Sequence, residues 1–117
     1  MLRNALPRTL YQQVTKKHNM TSNELKLHTL FPKHLPPLLH AMWHDYRGDW
    51  EASHNLAQDV HTPDGSWVHA YLHRKEGDTS NAGYWYHQAG KQMPAITIEK
   101  EWEEIVKALL EKENDYQ

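Results

Sequence analysis

One decapeptide occurs twice in this chain, His40-Ala-Met-Trp-His44-Asp-Tyr-Arg-Gly48-Asp49 and, twenty-nine residues later, His69-Ala-Tyr-Leu-His73-Arg-Lys-Glu-Gly77-Asp78. Five of the ten positions are identical. Each copy reads as the second half of a helix that stops at a glycine able to adopt the left-handed conformation, followed at once by an aspartate that can cap the next helix. Two helical hairpins related by duplication follow from this grammar, and a pattern repeated at fixed spacing speaks to architecture before chemistry.

The rest of the chain fits around those hairpins. From Pro37 to Arg47, Leu39, Met42, Trp43 and Tyr46 fall on one helical stripe. Gly48 ends that helix, and Asp49 caps a second, Trp50 to Val60, with Trp50, Ser53, Leu56, Ala57 and Val60 inward. Thr62-Pro-Asp-Gly65 reads as a turn, and a third helix from Ser66 to Glu76 places Val68, Tyr71 and Leu72 inside. After Gly77-Asp78 a fourth runs from Thr79 to Ala89 with Ala82, Trp85, Tyr86 and Ala89 on one side. A last helix from its cap Thr97 to Lys112 carries the cleanest stripe, Ile98, Trp102, Ile105, Val106, Leu109 and Leu110, while Glu99 and Glu101 suit the positive end of its dipole. On the N-terminal side, Thr9 to Lys17 reads as a short docked helix. Thr21-Ser-Asn-Glu24 has capping-box spacing for another, extending to Phe31. Pro32, Pro36 and Pro37 separate this arm from the hairpins.

These elements predict an all-α fold of five to seven helices in a single domain, residues 1–117. Residues 1–36 form an arm with short helices, 37–90 the duplicated hairpins, and 97–112 a closing amphipathic helix. A chain of 117 residues is long enough to bury about 65% of its unfolded surface. There is no cysteine, which excludes disulfides, thiolate ligands and cysteine nucleophiles. A net charge of −2 with mixed signs argues against nucleic acid as a partner. No apolar run of signal-peptide or membrane-spanning length is present, so the sequence reads as a cytoplasmic protein without a membrane role.

The hairpin grammar is similar to that of tetratricopeptide-type repeats over residues 38–90, with Trp43, Gly48, Ala52, Gly77, Ala82 and Tyr86 at the positions such repeats give to a large residue, the turn glycine, a small residue and an aromatic. The period of 29 departs from the usual 34 or so, and the repeat-terminal proline is missing. The stretch from His69 to Tyr86, HAYLHRKEGDTSNAGYWY, also resembles a group of uncharacterised microbial proteins. That similarity spans roughly Trp43 to Trp102 and implies no activity.

Ten histidines are the compositional anomaly. His40 and His44 share a stripe with Arg47, and His69 and His73 hold the equivalent stripe with Glu76. If the duplicated helices lie side by side, four imidazoles face one another with Arg47 near Glu76. His at i and i+4 offer two nitrogens to one ion, so His40, His44, His69 and His73 form a candidate metal set for zinc, or with Glu76 for iron or manganese. The middle helix adds Glu51, His54 and Gln58 on its polar flank, a single Glu-x-x-His motif where di-iron carboxylate proteins need two. Arg74, Asp78 and Asn81 surround the second turn as caps and an ion pair, or as a ligand clamp beside His73. The candidate ligand-binding set is therefore His54, Gln58, His69, His73, Arg74, Glu76 and Asn81. Three readings fit these residues: locally bonded histidines at the edge of the core, a bound divalent metal, or a polar pocket with a histidine acid/base. No phosphate loop, nucleophile elbow or HExxH is present. The leading expectation is a binding or interaction module for a protein or small-molecule ligand, with a His-dependent metal protein or enzyme as its rival.

Overall fold

The computed structural model describes residues 20–114, and the helix expected over Thr9 to Lys17 lies outside them. Among the described residues there are six helices and no strand: α1 Ser22–Leu27, α2 Pro37–Tyr46, α3 Trp50–Gln58, α4 Pro63–Lys75, α5 Thr79–Gln88 and α6 Ile98–Asn114. The fold is all-α. Helices α2 and α3 form the first hairpin and α4 and α5 the second; α3 packs on α4, and α6 lies against α1, α2 and α4.

Both hairpin turns are built alike because the sequence is. Gly48 and Gly77 have φ of 87° and 92°. The amide after each glycine reaches back to the histidine carbonyl five residues earlier, Asp49 to His44 and Asp78 to His73, both at 2.9 Å. Each aspartate then caps the following helix, accepting from Ala52 N at 3.0 Å and Asn81 N at 3.3 Å. A side chain added at either glycine meets nothing within 4 Å, so the cost of substitution is conformational. Gly48→Val or Gly77→Val should each lower stability by more than about 1 kcal/mol; a melting temperature unchanged in both variants would contradict the left-handed caps.

Helix α4 begins at Pro63, three residues before the expected Ser66, because Thr62-Pro-Asp-Gly65 is its first turn. Thr62 accepts from Gly65 N at 3.0 Å, and Pro63 sits at the helix start, where a missing amide proton costs nothing. Gly65 is required there, since a Cβ would stand 1.9 Å from the Val60 carbonyl oxygen. Helix α1 is shorter than expected. Its capping box forms, with Thr21 and Glu24 bonded reciprocally, but the chain turns extended at His28, leaving Leu27 and Leu30 exposed.

The main core joins Leu25, Leu35, Leu38, Leu39 and Met42 to Val68, Tyr71 and Leu72 and to the whole α6 stripe from Trp102 to Leu110. Ala70, Ala82 and Tyr86 form a smaller cluster inside the second hairpin, with Trp67 and Trp85 against it. On α2 the buried stripe is rotated from the expected one: Tyr46 is half exposed, and Asp45 is buried in its place. Asp45 accepts from the Tyr71 hydroxyl at 2.6 Å and from Lys75 at 2.8 Å, which satisfies the buried carboxylate and ties α2 to α4. Glu101 is also buried, at the junction of α4, α5 and α6. Ser22 and Lys26 both bond Glu103, linking α1 to α6 and holding the Glu103 carboxyl below its ordinary range.

Candidate metal centre

The interface between α3 and α4 holds a cluster of three imidazoles. Helix α4 presents His69 and His73 one turn apart, both 7% exposed, and α3 presents the half-buried His54 toward them. His54 Nε2 lies 2.9 Å from His69 Nε2. Ring centroids are 4.6 Å apart for His54 and His69, 5.1 Å for His54 and His73, and 4.8 Å for His69 and His73. One nitrogen from each ring falls within a sphere of mutual distances no greater than 4.8 Å.

Indole rings hold two of the imidazoles in place. Trp50, one turn before His54, stacks on it at 4.8 Å and 11°, with its own Nε1 donating to the Leu72 carbonyl at 2.8 Å. Trp85 of α5 stacks on His69 at 4.2 Å and 21°. Glu76 at the end of α4 accepts from His73 Nδ1 at 2.7 Å, which turns Nε2 of that ring away from the carboxylate. Burial, and secondarily the neighbouring His54 and His73, pulls the His69 pKa down to about 4. His54 is lowered by burial and by His73, against an opposing pull from Glu76. Both rings are therefore neutral near pH 7, the form that carries a ligating lone pair.

The four repeat-equivalent histidines do not converge. His40 stacks on Phe31 at 4.2 Å and on His44 at 4.5 Å, beside Trp43; burial and His44 lower its pKa. Neither His40 nor His44 joins any group of three potential ligands among the described residues. The reason lies in what each flank packs against. The flank of α4 that carries His69 and His73 meets the preceding helix α3, whereas the same flank of α2 meets the preceding connection, where Phe31 sits. Arg47 likewise makes no ion pair with Glu76: it donates to the His28 carbonyl at 2.9 Å and covers the Trp43 ring.

The remaining candidates divide. Glu76 joins the cluster through His73. Gln58, one turn beyond His54, lines a cleft of about 400 Å³ that also includes His69 and Trp85. Arg74 turns away to Glu101 at 2.7 Å, and Asn81 is engaged with Asp78, so neither forms a clamp beside His73. Glu51 belongs to no group of potential ligands among the described residues. Sequence reasoning passed over Trp50 and Trp85 as neighbours of the imidazoles. Trp50 stands four residues before His54, a spacing that puts both on one side of a helix, and that was the available signal. No protein-family model, curated protein or solved structure matches this chain.

Proposed function

We propose that this protein binds a divalent transition metal, zinc above all, through His54, His69 and His73 on a frame of two helical hairpins. The observation that carries this reading is the convergence of three imidazole nitrogens from two helices. Nitrogens bound to one tetrahedral zinc at about 2.0–2.1 Å stand about 3.3 Å apart, so binding would draw the three nitrogens to one point, with the proton now between the two Nε2 atoms of His54 and His69 moved to Nδ1 of the donor ring. The His73–Glu76 hydrogen bond supports the same reading, since a ligating histidine commonly donates its second nitrogen to a carboxylate. Imidazole donors without thiolates suit zinc and its neighbours better than magnesium or calcium. The interaction-module reading draws on the duplicated hairpins and has no comparable convergence of side chains behind it.

Titration of zinc into the full chain, prepared without a histidine tag and followed by calorimetry, should give one site per chain. His69→Ala should weaken it at least about tenfold, and His40→Ala should leave it unchanged. Zinc at a hundred times its dissociation constant should add about 2.7 kcal/mol to stability. Protons compete for the same lone pairs. Because burial lowers both His54 and His69, affinity should begin to fall only below the ordinary histidine range, as His54 takes up a proton, and vanish near pH 4, where His69 too becomes protonated. Absence of stoichiometric binding, or an equal loss in His40→Ala, would refute the assignment.

A further inference from the structure

We propose that the metal held by His54, His69 and His73 keeps one coordination position open and takes a small monodentate anion there. This rests on the metal reading above and goes beyond it, because a structural site closed by four protein ligands and an open three-ligand site differ in what they can do.

The ligand set stops at three. Among the described residues no further His, Asp or Glu comes within ligand distance of all three imidazoles. Glu76 and Asp78 come within ligand distance of His73 alone, as a separate group. Both are already engaged. Glu76 is bound to the far nitrogen of the His73 ring, and both carboxylate oxygens of Asp78 are engaged with Asn81, one of them capping α5. A tetrahedral ion on this set is one ligand short.

Charge then selects the class of the fourth ligand. Three neutral imidazoles add no charge of their own, so a divalent ion on this set keeps its attraction for an anion, which the exposed carboxylates of Glu76 and Asp78 beside His73 offset only through solvent-screened contacts. A monodentate anion completes the coordination. A cleft of about 400 Å³ beside the cluster has His69 in its wall together with Gln58, Thr62, Ser66, Trp85 and Gln88, while His54 and His73 are not in its lining. No aspartate or glutamate lines it, so an anion would reach the His69 edge of the site without meeting like charge.

Cobalt(II) and azide test the inference, since cobalt occupies imidazole sites and its visible absorption reports coordination. The full chain loaded with one equivalent of cobalt should show ligand-field bands of a four- or five-coordinate ion. Added azide should change their position and intensity saturably, with cobalt still bound. Bands unmoved by azide while cobalt remains bound would mean that the chain supplies a fourth ligand; the open position would be disproved and the metal reading would stand. A chain that takes up no cobalt and no zinc overturns both.

Discussion

Glu101→Ala is expected to lower the stability of the fold by about 3–5 kcal/mol, the usual cost of breaking a buried ion pair from one side. Glu101 is 1% exposed. Its two oxygens accept from Arg74 at 2.7 Å, from the Tyr86 hydroxyl at 2.7 and 2.8 Å, and from the Trp67 indole at 3.1 Å. Those donors come from α4 and α5, so one carboxylate on α6 fastens the second hairpin to the closing helix. Burial and this hydrogen bond also push the Tyr86 phenol above its ordinary range. Removing the acid strands the Arg74 guanidinium, whose side chain is 17% exposed and keeps the neutral Ile96 carbonyl and Tyr86 hydroxyl in place of a carboxylate. The surface pair of Lys112 and Asp64 provides the contrast: with the lysine 67% exposed, Asp64→Asn should cost no more than about 1 kcal/mol. Urea denaturation of both variants checks the pair of values. A Glu101→Ala midpoint no lower than that of Asp64→Asn would mean that the carboxylate is solvated.

That network also marks where the sequence stops being legible. Helix positions follow from local signals: glycine stops, aspartate caps and the α6 stripe lie within a few residues of what they determine. A carboxylate at the start of a helix is expected to face water and complement the dipole, and Glu99 does so. Glu101 is buried because Arg74 and Tyr86, 27 and 15 residues away, arrive to satisfy it. Asp45 is buried for the same kind of reason, with Tyr71 and Lys75 supplied by α4. No periodicity in one segment reports on donors that tertiary packing brings from another. The imidazoles teach a related lesson. Equivalence in the duplicated sequence set the His69 and His73 flank of α4 against α2, whereas the neighbour of that flank in the structure is α3, whose His54 has Gly83 as its counterpart in the second copy.

Trp102→Ala should cost a further about 3–5 kcal/mol on its own, as large-to-small changes at buried aromatics do. Trp102 is 4% exposed and its indole nitrogen donates to the Met42 carbonyl at 3.0 Å, across sixty residues of sequence. The ring packs beside Tyr46 at 5.2 Å, and the Lys26 ammonium lies 5.2 Å from its centre. Alanine would open a cavity where α1, α2 and α6 meet, and most of these neighbours are fixed by their own helices and cannot collapse into it. With a urea slope of about 1–3 kcal/mol per molar for a domain of this size, the midpoint should fall by about 1 M or more. A variant as stable as its parent would place α6 at the periphery and refute the core described here. The imidazole cluster gives this substitution a second use. Its three imidazoles come from α3 and α4 and none from α6, so on the proposed metal reading whatever fraction of Trp102→Ala remains folded should still bind zinc. Zinc should then raise the melting temperature of the variant as it does that of the parent, while His69→Ala, whatever its own stability, should lose that response.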